Sequence, residues 1–305
     1  MMKAILQLAI GLSFFNQLSL GQNVITDSSA TVLGFWEKGD IASFSFIKNK
    51  EQIEKGKPTS KETTTYWVEF SVVDANDTSY TVNWKNVRVM VNDKKAMDPN
   101  SETFLKLTAG LNFKYLTTEY GEFLELLNWK EVQNLVNLEL DRLFTDSAGP
   151  NSKTISNEFR KIFSSRENME QFVMKDVQLF HSLYGGEYLL KEKLTHEMEM
   201  PNPFGGNPIP GTISVEMTDL DKKSNKCSIL VTQTVDQEKL TKTLSDWLEK
   251  MGKPKDSPLP AMDFRDHTEY TIDLAKGWIE RIYNTRTVEA EGLKHIETRE
   301  FKKVN

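Results

Sequence analysis

The sequence has one cysteine, Cys227, among 305 residues. No internal disulfide can form, so a packed core must hold the chain together. Its longest early apolar run, Ala4 to Phe15, falls short of the about 20 residues a helix needs to cross a bilayer, and no later run reaches that length. Histidine is scarce: His181, His196, His267 and His295 are the only four, and no two stand at zinc-ligand spacing. HExxH, paired cysteines, an EF-hand loop, a Gly-x-Ser-x-Gly elbow, GxxxxGK[ST] and GxGxxG are all missing. Hence the sequence assigns no catalytic residue, no metal site and no cofactor. Basic residues are outnumbered, 38 to 44, for a formal net charge of −6. Nucleic acid or an anionic membrane surface would require a basic face, which this balance does not supply.

What is present starts with a leader. Met1-Met2-Lys3 is positive, Ala4 to Phe15 is mostly apolar, and Ser19-Leu20-Gly21 puts small residues at the cleavage positions. A signal peptide over 1–21 is expected, cut after Gly21. Gln22, not cysteine, follows the cut, so lipid anchoring is not expected. Residues 22–305 are then expected to form one secreted or periplasmic domain of about 284 residues.

Periodicity divides this domain into three blocks. The first, 31–127, is β-rich. Tyr66, Val68, Phe70 and Val72 alternate with polar neighbours, Asp74 to Ser79 turns the chain, and Tyr80, Val82 and Trp84 alternate again. The apolar phase then slips to Val87, Val89 and Val91, which predicts a bulge near Lys85-Asn86. Leu105, Leu107, Leu111, Phe113 and Tyr115 continue the odd-numbered set to a turn at Tyr120-Gly121. The second block, 129–184, is helical. Asn128 and Glu131 suit a capping box, and apolar stripes predict one helix from Trp129, another from Ile155 to Phe163, and a third from Met169 to Tyr184. The third block, 187–305, is β-rich and carries one helix over 237–251 with Asp236 as its cap. A three-strand meander closes it, turning at Ala275-Lys276-Gly277 and at Glu291-Gly292. The expected fold class is α+β: a strongly curved, mostly antiparallel sheet of about eleven strands with about four helices packed on one face.

In this pattern the chain is similar to the lipoprotein-carrier class of periplasmic half-barrels, in which a strongly curved antiparallel sheet wraps around helices and holds an acyl chain. That resemblance implies an apolar ligand. The segments KYLTTEYGEFLELLNWKEV (Lys114 to Val132) and TEYTIDLAKGWIERI (Thr268 to Ile282) resemble uncharacterised secreted bacterial β-rich proteins, which imply no site residues.

Chemically suggestive stretches each have a plainer explanation. Asp263-Phe264-Arg265-Asp266-His267 reads as a solvated polar edge on which Asp263 and Asp266 point to opposite faces. His196, Met198 and Met200 share one face of a strand, with Glu197 and Glu199 on the other. Glu119, Glu122 and Glu125 bracket a turn and could serve a hydrolase only at the right separation. Cys227 opens an apolar strand as a small hydrophobe. The densest loop is MPNPFGGNPIPGT, Met200 to Thr212, with four prolines and three glycines. It is expected to lie outside the sheet as a stiff cover, with Phe204 as a lid or contact residue. The favoured function is a non-enzymatic binding or scaffold protein for an apolar ligand or a protein partner. The alternative is a hydrolase with a dispersed carboxylate/histidine site.

Overall fold

The computed structural model describes residues 25–91, 111–146, 156–157, 160, 163–200, 208–250, 263–290 and 292–304. The first strands are β1 (Ser29–Thr31), β2 (Ile41–Glu54), β3 (Lys57–Asn76), β4 (Ser79–Val91), β5 (Asn112–Thr118) and β6 (Phe123–Leu126). Helices α1 (Trp129–Asp146), α2 (Arg166–Val173) and α3 (Lys175–His181) follow. The rest comprises β7 (Glu187–Leu189), β8 (Lys193–Met200), β9 (Ile209–Asp221), β10 (Lys226–Val235), α4 (Gln237–Lys250), β11 (Asp263–Asp273), β12 (Trp278–Ala290) and β13 (Leu293–Val304).

Eleven strands make one sheet in the order β6-β5-β4-β3-β2-β13-β12-β11-β10-β9-β8. Every neighbouring pair is antiparallel. The order is that of two meanders, β2 to β6 and β8 to β13, joined where β13 pairs with β2 from Leu293↔Glu54 to Val304↔Ser43. Among the described residues β6 and β8 are the outer edges and do not pair, so the sheet they form is not closed. β1 and β7 form a separate two-stranded ladder.

Side-chain contacts show how tightly the sheet curls. Trp84 on β4 and Phe301 on β13 lie three strands apart, yet their rings stack at 5.5 Å. Phe70 on β3 and Trp278 on β12 are equally separated and meet at 5.2 Å. Three steps across a flat sheet would cover roughly 14 Å. The inner residues therefore converge over a concave face, and α3 plugs it. Phe180 touches Phe44, Phe70, Trp84 and Phe301 from one helix position, at ring separations of 5.4 to 5.6 Å. The route follows from topology, because a chain leaving edge β6 and re-entering at edge β8 has to cross between the edges. Val132, Val136, Met169, Met174, Val177 and Phe180 join the core along that crossing.

Local signals explain most boundaries. On β3, Tyr66, Val68, Phe70 and Val72 are buried while the residues between them are half-buried, the period of two expected of a strand with one inner face. Asp236 caps α4, its Oδ1 accepting from the Lys239 N–H at 3.0 Å. At Asn76 the side chain accepts from the Thr78 N–H at 2.9 Å and closes the β3–β4 turn.

Several expectations need correction. The β4 bulge exists, but its extra residue is Val87, skipped between the pairs Val68↔Asn86 and Trp67↔Arg88. Val87 is 58% exposed and Asn86 is buried, since the unpaired residue is expelled and the inward phase resumes only at Val89. The helix expected over Met169 to Tyr184 is two helices, interrupted at Met174 with φ −101° and ψ 22°, and it ends at His181. Asn128 and Glu131 do interact, Nδ2 donating to Glu131 Oε2 at 3.2 Å, but the Asn128 side chain also binds the sheet, its Oδ1 accepting from Lys114 N–H and its Nδ2 donating to Asn112 C=O. Leu105, Leu107 and most of the helix expected over Ile155 to Phe163 lie outside the described residues. So does the leader with its cut after Gly21.

Candidate functional site on the concave face

Strand register arranges the concave face in tiers. The floor is aromatic and aliphatic: Tyr270, Ile282, Phe301, Phe46 and Tyr66 stand side by side on β11, β12, β13, β2 and β3. Phe46 stacks on Tyr66 at 4.2 Å. One pleat further, the same strands carry Thr268, Asn284, Arg299, Lys48 and Thr64. The next tier alternates in sign as Asp266, Arg286, Glu297, Lys50 and Glu62. Above it, Phe264 and Val288 pair on β11 and β12, then His295 and Gln52 on β13 and β2. Towards β8 this rim continues through Val235, Gly211 and Met198.

Charges in the middle tiers are close and half-buried. Arg299 and Lys48 are direct cross-strand partners of like sign, an unfavourable juxtaposition on its own. Carboxylates compensate on two sides. Glu297 reaches Lys48 at 3.3 Å and Arg299 at 2.5 Å, and Asp176 of α3 approaches Arg299 at 3.4 Å. Asp176 also accepts from the Tyr66 hydroxyl at 2.5 Å, so one carboxylate fastens α3 to both halves of the sheet. Burial alone would raise Glu297, but Arg299 and Lys48 hold it below the ordinary glutamate value. Lys48 is lowered by burial first and then by Arg299, and Lys175 by burial, Arg286 and Arg299. Burial and then Asp176 raise the Tyr66 phenol well above its usual range.

The stretch from Asp263 to His267 is not a solvated edge. It begins β11, an interior strand flanked by β10 and β12. Asp263 pairs outward with Arg265 at 2.7 Å. Asp266 is 3% exposed, bound to Arg286 at 2.6 Å and accepting from Asn284 Nδ2 at 2.5 Å. Alternation placed Asp266 on the opposite face from Asp263; only the sheet order made that face the interior.

The four histidines are dispersed. His196, His267 and His295 sit on β8, β11 and β13, while His181 ends α3 in the core. The His181 Nδ1 lies 2.6 Å from the Gly121 carbonyl, which can only accept, so Nδ1 carries the hydrogen and Nε2 accepts from the Tyr115 hydroxyl at 2.8 Å. Burial drives the imidazole pKa down to about 3. It is a neutral structural group, enclosed by Trp36, Phe70, Phe180 and Tyr184. Cys227 is buried, with its thiol pKa pushed up by burial to about 12, as suits a small hydrophobe. Glu125 is engaged by Arg166, whereas Glu122 is raised by burial and by Glu119. Among the described residues no three His, Cys, Asp or Glu side chains are grouped to hold a metal ion.

A groove of about 750 Å³ lies where β8, β9 and β10 meet the start of α4. Met198, Gly211 and Val235 line it together with Glu199, Asp236 and Lys239. The proline-rich connection enters the sheet here, contrary to expectation. Ile209, Pro210 and Gly211 belong to β9 and pair with Met200, Glu199 and Met198. Pro210 lacks an N–H but still accepts through its carbonyl from Asp236 N–H at 2.8 Å. At Gly211 a Cβ would come within 2.4 Å of the Thr234 carbonyl, so a side chain would part the strands. Phe204 lies outside the described residues.

No family description and no curated protein matches the chain. Among solved structures, lipovitellin, described for its lipid–protein interactions, is similar with a TM-score of 0.42 and 8% identity over 88% of this chain. The chain spans only 25% of the lipovitellin chain. An outer membrane channel from Pseudomonas putida F1 overlaps 89% of this chain and 98% of its own, at 6% identity and a TM-score of 0.17. These overlaps are too low to carry a function. No helix among the described residues is long and apolar enough to cross a membrane.

Proposed function

We propose that this is a non-enzymatic binding protein that holds an apolar ligand bearing an anionic end on the upper part of its concave face. The supporting observation is the tier order. The aromatic floor is filled by α3, and above it an apolar rim of Phe264, Val288, Val235 and Met198 adjoins a charged tier. An apolar body lies along the rim and ends in the groove at β8. The anionic end takes Lys48, whose charged form is disfavoured first by burial and then by Arg299 directly opposite it, so that a further negative group would offset both. A hydrolase reading is less well supported, because His181, bonded to the Gly121 carbonyl beside Glu122, is sealed in the core and Glu125 is engaged by Arg166. In this reading the leader is removed after Gly21, the protein acts in the periplasm or outside the cell without a lipid anchor, and Phe204 is an added apolar contact.

The test is binding of a long-chain fatty acid and of its methyl ester, with native mass spectrometry and solvent extraction of the purified protein. The acid should bind more tightly, and Lys48→Gln should reduce that preference about tenfold while sparing the ester. Phe204→Ser should weaken both ligands at unchanged stability. Failure of acid and ester alike to bind, with nothing extracted, overturns the proposal.

A further inference from the structure

The two edges of the main sheet are treated differently. β6 is four residues long, its ladder with β5 is irregular between Leu116 and Thr117, and α2 covers it. Leu126 N–H is taken by the Glu170 carboxylate at 2.7 Å, and Arg166 holds Glu125 beside it. That edge is blunted in the manner of sheets that avoid edge-to-edge pairing. β8 is eight residues long, in unbroken register with β9, and among the described residues no strand lies on its outer side. Lys193, Thr195, His196, Glu197 and Glu199 are all exposed. Nothing within the described chain uses the outward row of backbone donors and acceptors that such a strand presents.

Its sequence is complementary to itself. In an antiparallel pairing of two β8 strands about a two-fold axis at His196, Lys193 of each copy stands opposite Glu199 of the other. Leu194 then meets Met198, and Thr195 meets Glu197. Opposite residues in an antiparallel pair share a face, so Leu194 and Met198 stay with the concave sides and the ion pairs with the convex sides. His196 meets its own copy on the axis, and no Lys, Arg, Asp or Glu is opposed by a like charge. We infer that β8 is the interface for a second copy of this chain, which would join two open sheets into one through an isologous strand pair. The pairing uses the lateral edge of β8 and is measured without ligand, so it is tested apart from the ligand proposal, although Met198 and Glu199 also line the groove.

The experiment is analytical ultracentrifugation of the full chain across a concentration series, with three variants at exposed positions. Wild type should show a concentration-dependent species of twice the monomer mass. Glu199→Lys puts lysines opposite each other at two symmetry-related places and should weaken association about tenfold or more. Lys193→Glu should do the same with glutamates. The double variant Lys193→Glu/Glu199→Lys restores opposite charges in swapped order and should recover wild-type association. Thermal melting serves as the folding control. A wild type that stays monomeric at the highest concentration, a dimer insensitive to either single change, or a double variant as weak as the singles would each overturn the proposal.

Discussion

Acidification should unfold this protein partly through His181, and the size of that effect follows from its surroundings. The imidazole starts from 6.5 in the unfolded chain and is held down to about 3 in the core, chiefly because burial excludes its charged form. Below pH 6.5 the unfolded chain takes up a proton that the folded protein refuses, so stability falls as pH falls, and the loss is complete only near the folded value of about 3. Between neutrality and about pH 4.5 the difference covers roughly two pH units, which at about 1.4 kcal/mol per unit amounts to about 2.7 kcal/mol. Carboxylates also titrate in that window, so the measurement has to be differential. His181→Phe keeps an aromatic ring in place and removes the titration. It leaves the Tyr115 hydroxyl and the Gly121 carbonyl without partners, a cost that does not depend on pH. Urea unfolding of both proteins at about pH 7 and about pH 4.5 should show the wild-type advantage shrinking by about 2–3 kcal/mol on acidification. An advantage that is the same at both values would refute the buried neutral imidazole.

Other consequences can be checked in the same preparations. Gly277 has φ +65°, and a Cβ there would meet the Leu33 carbonyl at 2.2 Å and Phe35 N at 2.5 Å. Its own carbonyl accepts from Trp36 Nε1 at 3.1 Å and from the Tyr184 hydroxyl at 2.9 Å. Gly277→Ala should therefore cost about 2–4 kcal/mol by denaturant titration. Asp176→Asn leaves Arg299 facing Lys48 with one fewer anion and should cost about 1–2 kcal/mol. In a Lys48→Met background that cost should fall by about 0.5 kcal/mol or more, which a double-mutant cycle measures. Cys227, buried and with its thiol raised to about 12, should resist a thiol reagent in the native protein and react fully once unfolded; fast native labelling would contradict its burial.

Local order was legible where a short stretch of chain contains its own cause. The alternation from Tyr66 to Val72, the turn at Asn76 and the cap at Asp236 each depend on residues within about four positions of one another. The same holds for the hairpins of the closing meander, whose turns the glycines mark. The bulge in β4 was visible as a change of phase. Which residue it expelled was not, because that depends on whether Asn86 or Val87 faces β3.

The tiers could not be read in advance, for a related reason. Alternation fixes which residues of β2 share a face, but Lys48 meets Arg299 only because the first meander pairs with the last strand of the second. Asn49 donates to Thr298 across 249 positions in that same seam. Likewise His181 appears in sequence as a histidine at the end of an apolar helical stripe. Its neutral state was decided by Tyr115, Gly121 and Trp36, brought from other segments to surround it. The sequence by itself determined composition and, outside the bulged strand β4, the alternation along strands such as β3, since these are set by near neighbours. The tertiary structure alone decided register between distant strands, the inner side of the curl, and the cost of burying a charge there, since each depends on contacts that exist only after the whole sheet has assembled.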